Sequence, residues 1–271
     1  MSLQSIALLV PVIAGLFWLL AYWIYAPRDI YFRKFKRFIA LISCSFLFVS
    51  LSSDQDSKLM LHFVLLEQVC LLALVPCFIS YIKSFKGAVS EGILFKLCSF
   101  LPFLHLVIGI ESVYTCGFDN AVRIYLESFD FVGPMFPYLQ DKPQIVFYAC
   151  YTYVFRTFML LNFLLFVVEM TSTLISEKNE LAQSAGFLFA GKTSRLVPVQ
   201  YLLAMVMFLV IVPVVAFGGD ICSWRLLFAV IVSVLVAAAL SAMALVGAAG
   251  PIDKQSLNGI LETIRTGSRN K

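Results

Sequence analysis

Three ionisable residues, Glu67, His105 and Arg156, stand deep inside apolar stretches of the chain. Charged groups in such stretches are costly to bury and mark ion paths, proton relays or pairs that lock helices together. At a rise of about 1.5 Å per residue, His105 and Arg156 fall within about 2 Å of the centres of their runs, and Glu67 about 5 Å toward one end. Gln68 stands beside Glu67, while His62 and Glu111 lie about 10–13 Å from the centre. The depth match predicts that Arg156 pairs with Glu67 and that His105 joins them as a proton-sensitive neighbour. Two readings of this cluster stand side by side. Either its charges satisfy one another and fix helix pairing, or a ligand or proton breaks the pair and shifts the packing.

Other chemistry finds little support. Gly186-Phe-Leu-Phe-Ala-Gly191-Lys192-Thr193 matches the phosphate-loop pattern letter for letter. That loop works only between a strand and a helix of an α/β domain, and here it sits between two apolar runs, so no nucleotide is expected. Two histidines in all provide neither a three-histidine metal site nor H-E-x-x-H. They also differ by about 11 Å in depth, too far for two axial ligands of one haem. G-x-S-x-G and CxxC are absent. The expectation is therefore a protein that is not an enzyme and carries no cofactor.

The elements that position these residues follow from composition. Of 271 residues, 61% are hydrophobic and 13% charged, with a mean hydropathy of +0.92, which excludes both a soluble globular domain and a disordered chain. About 20 apolar residues cross the hydrocarbon core. Seven runs qualify: Ser5–Tyr25, Phe38–Ser52, Leu59–Ile82, Ile93–Tyr114, Ile145–Val168, Tyr201–Phe217 and Leu226–Ala249. The first begins without a basic residue and lacks a cleavage site, so it reads as a retained anchor. The expected fold is an all-α membrane protein of seven transmembrane helices, with residues 1–250 forming the bundle and 251–271 a short tail.

Basic residues set the orientation. Arg28, Arg33, Lys34, Lys36, Arg37, Lys83, Lys86, Lys96, Lys178, Lys192, Arg195, Lys254, Arg265, Arg269 and Lys271 fall on one side. Only Lys58, Arg123, Lys142 and Arg225 fall on the other. This asymmetry predicts an outside N-terminus and a cytoplasmic C-terminus, and it requires the short second run to be a real span. It also accounts for the net charge of +4 without nucleic acid.

The longest outer loop, from Thr115 to Gln144, is acidic and aromatic, and Asp119–Phe129 within it reads as a short amphipathic helix ended by Gly133-Pro134. It serves either as a lid in the headgroup region or as a binding surface. Trp18, Trp23 and Trp224 fall near span ends, as in an aromatic belt. The last run is rich in small residues, with Ala238, Ala242, Ala244 and Ala248 at helical spacings that let backbones approach closely, inside the bundle or against another chain. Cys116 and Cys222 lie on the outer side, where an oxidising environment would allow them to pair. The other five cysteines read as small apolar residues within spans.

One resemblance adds to this. Val69-Cys-Leu-Leu-Ala-Leu-Val-Pro76-Cys-Phe-Ile-Ser-Tyr81-Ile-Lys-Ser84, Phe100-Leu-Pro102-Phe-Leu-His105 and the basic Arg33-Lys-Phe-Lys36-Arg together resemble a bacterial seven-helix membrane sensor region over about Tyr25–Val168. Such regions precede AraC-type helix-turn-helix or histidine kinase domains and pass an external signal inward. The resemblance implies a sensor of the bacterial inner membrane and brings no catalytic residues with it. After Gly250-Pro251 only Ile252–Lys271 follow, too few for such an output domain, so the expectation is either that the output domain is missing from this chain or that the output belongs to a protein partner. Besides the bilayer, that partner or a second copy is the expected contact. The alternatives are a structural or assembly subunit of a membrane complex and, behind it, a small transporter, for which no internal repeat is visible.

Overall fold

The computed structural model of the chain describes residues 3–25, 30–52, 59–86, 92–128, 139, 141–183, 199–208 and 229–246. Among these residues the structure is almost entirely helical, with no strand. In chain order the helices are α1 (Leu3–Leu8), α2 (Val10–Tyr25), α3 (Ile30–Ser52), α4 (Met60–Lys86), α5 (Ile93–Cys116), α6 (Phe118–Glu127), α7 (Lys142–Tyr148), a π-helical segment (Ala149–Val154) and α8 (Phe155–Gln183). They are followed by α9 (Val199–Phe208) and α10 (Ala229–Val246).

Six segments are long and apolar enough to cross a membrane: Ile6–Ile24, Phe32–Ser52, Met60–Ser84, Ile93–Cys116, Lys142–Thr173 and Ala229–Val246. The short second run of the sequence thus belongs to a helix long enough to cross a membrane. It starts earlier than hydropathy suggests because Arg33, Lys34, Lys36 and Arg37 are already helical, their long stems letting charge sit at the helix end. Lys34 Nζ donates to the Ser80 carbonyl of α4 at 3.3 Å. The expected span Tyr201–Phe217 is described only in part, as the apolar helix α9, and its remainder lies outside the described residues. So do the phosphate-loop match Gly186–Thr193 and the tail 251–271.

Breaks in helical hydrogen bonding are placed with purpose. Pro11 has no N–H to offer, and α1 gives way to α2 through a tight turn in which the Leu9 N–H bonds the Ile6 carbonyl at 3.1 Å. Pro76 in α4 likewise deprives the Leu72 carbonyl of its donor four residues on. Asn162 of α8 supplies the replacement, its Nδ2 donating to Leu72 O at 3.1 Å in a fully buried position. A proline defect in one span is thereby satisfied by a side chain of another, which in hydrocarbon only protein can do.

α4 is the central helix, packed on α3, α5 and α8, while α2 covers the far side of α3. Toward the basic end of α3 the core is aromatic: Phe35 stacks on Tyr81 at 4.6 Å, and Phe78, Phe166, Tyr201 and Phe208 continue the array. At this end Lys83 pairs with Glu169 at 2.8 Å and lies over the Phe95 ring. A second, smaller core lies at the opposite end, beneath α6, built from Leu61, Val64, Leu65, Ala121, Ile124, Phe147 and Tyr151. The amphipathic helix expected at Asp119–Phe129 is therefore present as α6, with Ala121 and Ile124 buried against the bundle. Gly117 joins it to α5 at φ +81°, a conformation that costs other residues strain.

The small residues of α10 divide between two faces. Ala244 is buried, and its carbonyl accepts from the Tyr22 hydroxyl at 2.5 Å. Ala239 is also buried, whereas Ala242 is half-buried and Ala238 faces outward. The stripe that packs inside the bundle is Val232, Ser233, Val236, Ala239, Leu240, Met243 and Ala244, and the 3.6-residue period leaves Ala238 on the outward face. Ala248 lies outside the described residues. Trp18 donates to Ser241 Oγ at 3.1 Å and so ties α2 to α10, while Trp23 is 76% exposed at the end of α2. Trp224 lies outside the described residues.

Candidate functional site

The most polar part of the described interior lies on the α6 side of mid-span, where α4, α5 and the π-helical segment meet. Gln68 of α4 is its pivot. Its Nε2 donates to the Tyr151 carbonyl at 3.2 Å, and its Oε1 stands 2.8 Å from Nε2 of His105. The carbonyl can only accept, so the amide must turn its NH₂ to Tyr151 and its oxygen to His105. His105 therefore donates through Nε2–H, and Nδ1 carries the lone pair. That Nδ1 is buried and has no hydrogen-bond partner, and the ring packs against Phe155 at 5.5 Å and Phe158 at 6.2 Å.

The π-helical turn explains why a span carbonyl is there for Gln68. A π turn holds one residue more than an α turn and loosens the regular ladder. Thr152 reinforces the change by donating its hydroxyl to the Tyr148 carbonyl. Tyr151 itself turns its ring inward, 4.5 Å from Phe147, with its hydroxyl buried and without a hydrogen-bond partner.

Above this layer sits α6. Tyr125 reaches down so that its ring lies 6.4 Å from Tyr151, and its phenol lies within electrostatic range of Glu67. Burial pushes the Tyr125 phenol well above its ordinary range, with Glu67 and Tyr151 adding to the shift, so it stays protonated. Beside it an open cavity of about 70 Å³ is lined by His62, Leu65, Ile110, Tyr114, Phe118 and Tyr151 among others. His62 stacks on Phe118 at 5.5 Å and forms part of the rim.

The expected trio is thus only partly brought together. His105 is in the layer, but its partner is Gln68. Glu67 is half-buried, with its carboxyl against Ser52 at the end of α3. Arg156 is exposed on α8, and no ion pair joins it to Glu67: the ion pairs among the described residues are Lys83–Glu169 and Arg123–Glu127. The expected pairing fails because depth fixes height along a helix and says nothing of the direction a side chain faces. Cys116 has a free thiol, buried in the core beneath α6, and Cys222 lies outside the described residues. Gln68 was visible beside Glu67, but Tyr125, Tyr151 and the π turn carry no signal in apolar periodicity.

The arrangement is a neutral hydrogen-bonded layer with spare acceptor and donor capacity at His105 Nδ1 and Tyr151 OH. Among the described residues no group of three or more His, Cys, Asp or Glu side chains stands close enough to hold a metal ion. Removing the pivot tests the layer directly. Gln68→Leu is expected to destabilise the protein by about 1–3 kcal/mol, the cost of leaving buried polar groups unsatisfied. Gln68→Leu with His105→Phe is expected to recover part of that loss, because both members of one bond are then apolar. Denaturant titration of the purified protein in detergent checks both.

No family model matches the chain, and neither curated proteins nor solved structures provide a significant match.

Proposed function

We propose that the chain is a receptor-like module of a bacterial inner membrane, with seven spans, its N-terminus and α6 outside and its C-terminus in the cytoplasm. In this reading it relays an external signal to a cytoplasmic protein partner. One observation carries the reading: the extramembrane helix α6 is coupled to the polar layer. Tyr125 seats on Tyr151, whose carbonyl holds Gln68 and through it His105. The same π-helical segment continues into α8, which runs on to Gln183, past the end of its span at Thr173. The cavity beside Phe118 and the α6 surface receive the signal, and the segments Thr171–Val199 and Ile252–Lys271 deliver it. The basic residues gathered on one side and the resemblance to bacterial sensor regions support the orientation and the role.

Hydrogen exchange in lipid nanodiscs tests the coupling without knowing the ligand. Tyr125→Ala, and Tyr125→Leu as the bulkier control, are expected to speed exchange severalfold in α6. They are also expected to change exchange at least twofold over Ser172–Gln183, at unchanged protein yield. Acceleration confined to α6 and α7 would make α6 a plain cover and remove the receptor reading.

A second reading, an assembly subunit of a membrane complex, is favoured by the exposed Arg156. It predicts that the chain is degraded when its partner is deleted.

A further inference from the structure

We infer that the outward face of α8 around Arg156 docks a transmembrane helix of a different protein, one that carries a carboxylate near the middle of the membrane. Arg156 lies about 2 Å from the centre of the span Lys142–Thr173 at the α-helical rise. Either edge of the hydrocarbon core is about 15 Å away, beyond the reach of an arginine stem. Yet the residue is exposed and has no ion pair among the described residues. Intramembrane arginines almost always face a bundle interior or pair with an opposite charge, because lipid offers neither hydrogen bonds nor charge.

The surface around it has the pattern of a helix-docking face. Tyr153, Arg156, Thr157, Leu160, Leu164 and Val168 are exposed at helical spacing, four of them apolar or aromatic. Thr157 already donates its hydroxyl to the Tyr153 carbonyl, so the guanidinium is the polar group left for a partner. Its fork of donors is matched by a carboxylate, which takes two parallel hydrogen bonds.

A second copy of the chain is a poor source of that carboxylate. Among the described residues, Glu67 lies against Ser52, Glu169 is paired with Lys83, and Glu127 lies beside Arg123 outside the spans. Glu111 is exposed but about 10 Å from the centre of its own span. Asp119, Asp141, Glu177 and Glu180 lie outside the spans. None of the described carboxylates is placed to complement Arg156 from a second copy, which favours another protein as the source. The inference holds under either functional reading above, and its test reads helix association, so it fails or stands apart from signalling.

The probe is a synthetic leucine- and alanine-rich transmembrane peptide with a single central aspartate, and its control has asparagine at that position. Association with the full chain in nanodiscs is read by energy transfer between labelled peptide and labelled protein. The aspartate peptide is expected to bind the native chain at least tenfold more tightly than the asparagine peptide, and to lose that preference with Arg156→Leu. Arg156→Lys, which keeps the charge, retains most of the preference and shows that loss in the leucine variant is not misfolding. Equal binding of the two peptides, or equal binding to native and Arg156→Leu chains, overturns the inference. An Arg156-dependent dimer of the chain without peptide, seen by sedimentation, overturns it as well by giving the face to a second copy.

Discussion

Asn162→Leu is expected to destabilise the protein by about 1–3 kcal/mol, the range for a buried polar group left without its partner. Hydrogen bonds between membrane helices average nearer 0.6 kcal/mol, because the less folded protein in the membrane finds other partners. The Asn162 contact should exceed that average for a specific reason. The Leu72 carbonyl has lost its helical donor to Pro76, so once Nδ2 is gone α4 itself has no N–H to return in its place. Loss of the orphaned Asn162 Oδ1 offsets a little of the cost. The mechanism makes a sharper prediction than the single variant does. Pro76→Ala restores an N–H for Leu72, so Pro76→Ala with Asn162→Leu should regain most of the stability lost by Asn162→Leu. Denaturant titration of the four proteins of this cycle in one detergent gives the coupling. Additive losses would mean that Asn162 does not serve the proline defect.

Gly15→Val is expected to have the largest effect on the α2–α3 contact. A Cβ at Gly15 would lie 1.9 Å from Ser43 Oγ and 3.2 Å from Ser43 Cβ, so the helices touch with no room for a side chain. Overpacking of this kind costs about 1–3 kcal/mol and sometimes more. The Ser43 hydroxyl also donates to the Ile39 carbonyl at 2.9 Å, so moving it breaks a bond. The milder Gly15→Ala should therefore be largely rescued by Ser43→Ala, which removes the nearest atom. Gly15→Val should not be rescued, because its two Cγ methyls need room beyond that left by the removed hydroxyl. Thermal unfolding followed by helical circular dichroism distinguishes these outcomes. If Gly15→Ala alone leaves the midpoint unchanged, α2 does not pack on α3 as closely as Gly15 implies.

Much of the fold was legible because apolar length is a strong signal in a chain destined for lipid. Even Phe38–Ser52, short and rich in serine, lies in a helix long and apolar enough to cross a membrane. Its serines return their hydroxyls to the helix backbone, Ser43 to Ile39 and Ser45 to Ile42, and so carry no unsatisfied polarity into the bilayer. The amphipathic helix after Gly117 was readable for a similar reason, since a polar and an apolar face alternate over Phe118–Glu127.

The polar layer was readable only in part. Hydropathy reports how deep a residue lies, whereas contact also needs the angle it faces. At Arg156 that angle follows a π-helical segment that no composition rule marks. His105 is buried within the bundle, but its ring nitrogen is bonded to Gln68, one residue beyond the acid expected to take part. A neutral amide can donate and accept at once without the cost of desolvating a charge. Glu67 had no such advantage.

The six residues Ala149–Val154 give their rod a phase error, much as a slipped tooth does in a gear train. Were this segment to tighten by one residue into ordinary α-helix, everything after it would swing by about 100° and advance by about 1.5 Å. The rod would need no bend, and its swing would reach Gln183 undiminished. The side chains now exposed, Arg156 among them, would be exchanged for a different set. Such a change would be about a quarter-turn, and it would have to act on the hydrogen bond from the Gln68 amide to the Tyr151 carbonyl.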